Sequence, residues 1–350
     1  MTDRPGFLEV LARVAPGTAL RTAVERIVQQ GNGALVVIGS DPEVEAVAFG
    51  GFILRDSPFT PARLAELAKM DGAIILDEEA QKILRANAHL LPDASIRTDE
   101  TGARFRTSER MARMTDRPVL AISEERGQCF LFYGDRKHRL RTPSELLVRI
   151  NQELQTLERF RRRVVEAEER LTRLEVNDQA TLGDAISLLQ RTELVRRIGD
   201  RVSRLAVDLG EEGQLASLQH GDLMMGVEEL QNVLARDYLQ ENGDRGAELL
   251  RVLEARPLAD LYDIDRLCTL LGFDDAGSAV RPMGHRLLAG MPGLAKYVRD
   301  ALVEHFGDLG KIMMASVADL GTVDGASETL ARALRRYLDQ LRRTYRDSAS

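Results

Sequence analysis

The sequence predicts an α/β domain, a mixed sheet flanked by helices, over residues 1–145, followed by an all-α spacer over 146–280 and a domain of short helices over 281–350. Three patterns predict this order. Strand and helix signals alternate through the first 145 residues, as they do in layered α/β domains. A heptad-like apolar stripe then opens a long charged helical stretch near Ile150. Short helices separated by glycine-containing turns fill the remainder. A chain of 350 residues is long enough for two or three cores of this kind.

Taken in order, Ala34 to Gly39 is a short apolar run closed by glycine, a buried strand. Glu43 to Phe49 alternates polar and apolar residues and meets Gly50-Gly51, which predicts a strand ending in a turn. Thr60-Pro61 opens a helix with a capping hydroxyl and a first-turn proline, and Leu64, Leu67 and Ala68 form its buried stripe. Ala73–Leu76, Val119–Ile122 and Cys129–Tyr133 read as further strands. Thr107 is placed to cap a helix whose Met111 and Met114 face inward. Ile150, Leu154, Leu157, Val164 and Leu171 are spaced 4, 3, 7 and 7 apart. Arg161 interrupts this stripe, which argues against one continuous coiled coil. Helical patterns continue through Leu182–Ile198 and on to Leu271. Asp274 to Pro282 reads as a boundary, and helices are expected at Leu294–Phe306, Lys311–Met314 and Glu328–Leu341.

Composition excludes several classes. Apolar residues make up 44% and charged residues 29%, ordinary for a globular protein. No apolar run reaches the roughly 18 residues of a membrane span. Asp3, Arg4 and Glu9 leave no apolar signal core at the N-terminus, so a cytoplasmic protein with no membrane partner is expected. Cys129 and Cys268 read as two reduced thiols rather than a disulfide or metal site. The net charge of −7 is uneven: residues 281–350 carry 11 Lys/Arg against 8 Asp/Glu, the first 280 residues 37 against 47. An acidic body with a mildly basic tail excludes a uniform nucleic-acid coat and permits local contact through the tail.

Two short segments carry the chemistry. Met70-Asp71-Gly72-Ala73 offers a carboxylate beside a bare glycine at the start of an apolar run. Thr101-Gly102-Ala103-Arg104-Phe105-Arg106-Thr107 offers a glycine, two arginines and hydroxyls before a helix. Asp71 reads either as a turn residue or as a ligand for a hard cation. Gly72 would let backbone approach a phosphate without a Cβ clash. Arg104 and Arg106 read either as solvated arginines or, beside a helix N-terminus, as an anion cradle. Ser123 and Arg126 follow a strand, where ligands of open sheets bind. The five histidines, His89, His138, His220, His285 and His305, show no ligand spacing and read as structural or surface residues.

With Gly33–Val37, Gly50-Gly51-Phe52, Lys69–Leu76 and Ile122–Arg126, these segments form an ordered set that resembles the DGA and RHR signatures of the diadenylate cyclase (DAC) family, from about Ala15 to Leu341. The resemblance implies a nucleotidyltransferase that condenses two ATP into cyclic di-AMP and two pyrophosphates. It implies Asp71, Arg104 and Arg106 as catalytic residues, with Asp71 holding Mg²⁺ or Mn²⁺. It implies Gly72, Ala73, Leu90, Gly102, Arg104, Phe105, Arg106, Thr107, Ser123 and Arg126 around ATP, and a homo-octamer. The chain departs from the family at Phe105, where the motif has His. Loss of one donor to a developing anion costs about 10²–10³-fold in rate. Alternatively, Phe105 stacks on adenine or packs while the flanking arginines suffice.

Val323-Asp324-Gly325-Ala326-Ser327 resembles a helix-hairpin-helix turn, which aims backbone N–H groups at a phosphate. Ser327 stands where the usual pattern has a second glycine, and Met291-Pro292-Gly293-Leu294 looks like the companion hairpin. Arg332, Arg335, Arg336, Arg342 and Arg343 read either as a solvated helix face or, with the turns nearby, as part of a DNA site at Gly293, Gly325, Ser327, Arg332 and Arg335. The resemblance adds branched DNA as partner and a nucleoid-associated location. Two alternatives stand beside it: a catalytically impaired nucleotide- and DNA-binding scaffold, and a cyclase without DNA sensing.

Overall fold

The computed structural model describes residues 6–239, 245–271, 273 and 275–346; Asp3, Arg4 and Asp274, named above, lie outside them. The chain divides into two compact units, residues 1–152 with 202–218, and residues 153–201 with 219–350.

The first unit begins with α1 (Phe7–Arg13) and α2 (Ala19–Gln29). It continues through β1 (Ala34–Ile38), α3 (Pro42–Val47), β2 (Ala48–Phe49), β3 (Phe52–Pro58), α4 (Pro61–Leu67), β4 (Ala73–Leu76), β5 (Lys82–Leu90) and α5 (Ala103–Thr115) to β6 (Val119–Ile122), β7 (Cys129–Tyr133) and β8 (Arg136–Leu140). The sheet runs β2-β5-β4-β1-β6-β7-β8, with β3 also on β5. β1 and β4 are parallel, in register Val36↔Ile74, and β6 is antiparallel to β1, in register Leu35↔Ala121. Both faces are covered. Val36, Ile74 and Leu120 pack on α1, α2 and α4, whereas Val37, Ile75 and Ala121 pack on α3 and α5. Coverage of both faces is why these strands read as unbroken apolar runs.

Two local expectations change. Glu43 to Val47 is helical, because Asp41 accepts a hydrogen bond from Val44 N–H at 2.8 Å and Pro42 takes the first helical position. Only Ala48-Phe49 remains as strand before the turn at Gly50 (φ +62°) and Gly51 (φ +75°). Thr107 does not cap: α5 starts four residues earlier, with Gly102 as its N-cap, and Thr107 lies within the helix. The long charged helix expected from Ile150 is present. α6 (Pro143–Val176) is continuous over 34 residues, and Arg161 Nη2 reaches the Met225 carbonyl at 3.2 Å. Both cysteines are free and buried, as expected, and burial pushes the Cys129 thiol up to about 12.

The second unit is helical. It contains most of α6 and α7 (Leu182–Leu209), the end of α8 (Gln214–Met224), then α9 (Val227–Tyr238), α10 (Arg245–Ala255), α11 (Ile264–Leu270), α12 (His285–Ala289), α13 (Lys296–Phe306), α14 (Leu309–Met314), α15 (Val317–Leu320) and α16 (Glu328–Arg346). Val176 of α6 sits in the same core as Leu288, Leu302, Ile312 and Leu338. The stretch after Asp274 is tied down: Leu182 N–H bonds the Ser278 carbonyl and Val280 N–H the Ala180 carbonyl. No helix among the described residues is long and apolar enough to cross a membrane.

A buried polar cluster joins α6, α9 and α12. Asp237 accepts hydrogen bonds from the N–H groups of Gly284, His285 and Arg286 at 2.9, 2.6 and 2.8 Å. Arg286 pairs with Glu175, which also accepts the Tyr238 hydroxyl. Burial first, and the Glu175 charge next, push the Asp237 carboxyl up to about 7 despite its three N–H donors. A carboxyl raised in the folded state stabilises it fully below the unfolded value, about 3.8, and that contribution is lost as pH rises through the folded value. Thermal midpoints should therefore fall as pH is raised through about 7, and Asp237→Asn should flatten the slope. Calorimetry of both proteins across pH checks this; parallel curves would remove Asp237 as the cause.

Candidate active site

A cleft of about 510 Å³ opens at one edge of the first unit's sheet. That volume falls in the range that accepts a nucleotide. Its floor is the N-terminal ends of the parallel strands β1 and β4, where Gly33 and Asp71-Gly72-Ala73 lie. Its walls are the first turn of α5, the end of β5 and the β6–β7 turn. β6 and β5 run antiparallel to that pair, so their C-terminal residues, Ser123 and Leu90, reach the same edge. The mixed sheet is what brings these separated segments together.

Asp71 is fully exposed within the cleft, and no hydrogen bond from the described residues occupies its carboxylate. Arg104 Nη2 lies 3.7 Å from Asp71 Oδ1, and Arg104 Nη1 lies 3.4 Å from the Ile122 carbonyl. The bare Gly33 makes this possible, since a Cβ there would sit 2.0 Å from Arg104 Nη1. Arg104 is thereby drawn to the mouth of β1, β4 and β6. Packing also requires glycine at position 72. A Cβ at Gly72 would meet Asn87 Oδ1 at 2.5 Å and Asn87 Cα at 2.6 Å, so glycine is required by the neighbouring strand. Asn87 itself has φ +53° and breaks the β4–β5 register.

Gly102 leaves α5 without a side-chain cap. The first-turn N–H groups of such a helix have no intrahelical acceptor, which favours an anion. Thr107, relieved of capping, lines the cleft. Phe105 also lines it, but its ring packs edge-on against Phe130 (5.6 Å) and Phe132 (6.3 Å). Ser123 holds the β6–β7 turn, its Oγ accepting from Arg126 N–H at 3.3 Å.

Of the residues expected around ATP, Asp71, Gly72, Ala73, Leu90, Gly102, Arg104, Phe105, Thr107 and Ser123 converge on the cleft. Arg106 and Arg126 are exposed and outside its lining. Met70, Glu124 and Glu125 join it, as does His89, which was read as structural or surface. Its strand, β5, carried no clear signal, so nothing in the spacing placed His89 beside the cleft. A metal fits here only as a shared ion. No group of three or more His, Cys, Asp or Glu side chains among the described residues could cage one. Mg²⁺ is commonly held by one carboxylate plus substrate phosphates, and Asp71 is such a carboxylate.

Residues 21–137 match the family described as "DisA bacterial checkpoint controller nucleotide-binding", and residues 140–280 the "DisA bacterial checkpoint controller linker region". The chain is 44% identical to the DNA integrity scanning protein DisA of Frankia alni, over 97% of each chain. It is 43% identical to that of Symbiobacterium thermophilum, over 98% of this chain and 97% of the other. Among solved structures it is similar to DacA from Staphylococcus aureus, at 22% identity over 38% of this chain and 88% of that one, with a TM-score of 0.31, too low to carry an argument. The chain belongs to the family of the DNA integrity scanning protein DisA.

Proposed function

We propose that this member of the DisA family is a diadenylate cyclase whose activity responds to branched or damaged DNA. Two ATP molecules would condense to cyclic di-AMP and two pyrophosphates, each 3′-hydroxyl attacking the other's α-phosphate. The observation that carries the reading is Asp71: a carboxylate with no hydrogen bond among the described residues, facing Arg104 in a nucleotide-sized cleft beside an uncapped helix N-terminus. Arg104, Thr107, Ser123 and the first-turn N–H groups of α5 would hold the phosphates, and Asp71 would orient the hydroxyl. A Mg²⁺ or Mn²⁺ shared between Asp71 and the phosphates would offset their charge. Two bonds must form between two nucleotides, so two clefts must meet, which calls for a homo-oligomer; by resemblance, an octamer. Phe49, Phe52, Ile53 and Leu91, each more than half exposed, supply apolar surface suited to such a contact.

The DNA-facing element would be the pair of turns at Gly293 (φ +78°) and Gly325 (φ +80°), which lead towards α13 and α16. Ser327 Oγ accepts from Leu330 N–H and caps α16. Arg335 is committed elsewhere: it binds the Met313 and Ala315 carbonyls and Asp339, and is mostly buried. Arg332, Arg336 and Arg343 are exposed and would meet phosphates, Arg332 by exchanging its exposed partner Glu328. Replacing these three with Ala should weaken DNA binding and lower the salt slope by roughly two to three units. A slope unchanged in salt titrations would take α16 out of the DNA contact.

The test is direct: full-length protein, ATP and Mn²⁺ or Mg²⁺, with and without branched DNA, assayed for cyclic di-AMP. Phe105 favours one second reading, the impaired scaffold, because a packed phenyl ring donates nothing to phosphate. A Phe105→His variant much faster than the parent would support that reading; a fast parent would end it.

A further inference from the structure

We propose that the second unit holds another ligand site, a cleft between α9, α10 and α13 that takes a small ribose phosphate or ribonucleotide, phosphate inward. The cleft measures about 680 Å³, room for a mononucleotide. Its charged lining is Glu228, Glu229 and Arg236 of α9 with Lys296, Arg299 and Asp300 of α13.

Arg299 carries the argument. It is 7% exposed, and its buried Nε has no hydrogen-bond partner among the described residues. An unsatisfied donor on a buried cation is costly, and an anion is what would satisfy it. The nearby acid cannot serve fully, since Asp300 Oδ1 is held by Arg236 at 2.8 Å. The same oxygen lies 3.5 Å from His285 Nδ1, which is also buried and without a hydrogen bond. Burial first, then Arg236, hold His285 down at about 4; Arg299 acts in the same direction, and Asp300 opposes them. At the base of the cleft Arg236 and Arg299 outnumber the single carboxylate of Asp300.

The rim differs in sign. Glu228 and Glu229 are exposed in the first turn of α9. Carboxylates at a rim repel a phosphate but accept hydrogen bonds from vicinal hydroxyls, as in dinucleotide sites. A cationic base under an acidic rim therefore selects a ligand with phosphate at one end and hydroxyls at the other. Lys296, exposed beside Arg299, would be the second phosphate contact. This reading stands without the cyclase assignment, because the first cleft is built from residues of the other unit.

Titration calorimetry of the full-length protein with AMP and with ribose 5-phosphate tests it. One binding event should persist in Arg104→Ala and weaken by roughly 10- to 100-fold in Arg299→Gln, the loss expected for one charge-assisted contact. Lys296→Ala, at an exposed position that folding does not need, should weaken it several-fold. Glu228→Gln with Glu229→Gln should weaken AMP binding and leave inorganic phosphate no weaker. The proposal is overturned if Arg104→Ala removes all binding, or if Lys296→Ala leaves every small-ligand affinity unchanged. It is equally overturned if only DNA binding responds to Lys296→Ala, since the surface then belongs to a DNA backbone.

Discussion

Asp71→Asn should lower cyclic di-AMP formation by on the order of 10³-fold while leaving the fold and the assembly unchanged. The amide keeps the shape but loses the charge that a hard cation or an attacking hydroxyl needs. A metal contact in the transition state is worth several kcal/mol, and each 1.4 kcal/mol is about tenfold in rate. Stability should shift by no more than about 0.5 kcal/mol, the usual range for a surface substitution. The reason is structural: the Asp71 side chain is fully exposed, and its ion pair with Arg104, at 3.7 Å, is long. Such pairs contribute little. Product analysis and thermal melts on the same samples separate the two effects. Undiminished cyclic di-AMP from a folded Asp71→Asn protein would remove Asp71 from the mechanism.

The sequence was most legible where one physical signal acted alone. β1, β4 and β6 are buried on both faces, so their apolar runs stand out, and the α6 stripe from Ile150 to Leu171 is buried as its spacing predicts. Signals that compete were not legible. β5 reads Lys-Ile-Leu-Arg-Ala-Asn-Ala-His-Leu, and its left-handed Asn87 breaks the alternation that would reveal a strand. The cost was His89, which reached the cleft unseen. Asp41-Pro42 is a helix start, but the alternation that follows it also fits a strand, and the cap decided. Gly72 shows a limit of another kind: its place beside a candidate ligand is visible in the sequence, but the contact with Asn87 that also demands glycine is remote in pattern and adjacent in space. The buried cluster around Glu175 was invisible for the same reason. Its members come from residues 172, 175, 237, 238 and 286, with no local motif to join them.

That cluster gives the largest expected effect on stability. Arg286→Met should destabilise the helical unit by about 3–5 kcal/mol, the cost of removing one partner of a buried ion pair. The Arg286 and Glu175 side chains are 3% and 1% exposed. Burial alone would lower the Arg286 guanidinium; Glu175 beside it more than reverses that and holds it above its ordinary value. Removing the guanidinium strands the Glu175 carboxylate close to Asp237, which already feels its charge. It also removes the bond that Thr172 Oγ1 accepts from Arg286 Nη2 at 3.0 Å, leaving that hydroxyl its donation to the Glu168 carbonyl. Glu175→Gln in the same chain removes the stranded charge, so the double variant should be more stable than Arg286→Met alone. Denaturant titrations of the parent, both single variants and the double variant measure the coupling. If Arg286→Met lies within about 1 kcal/mol of the parent, the pair is solvated and the junction of α6, α9 and α12 is held by its apolar core alone.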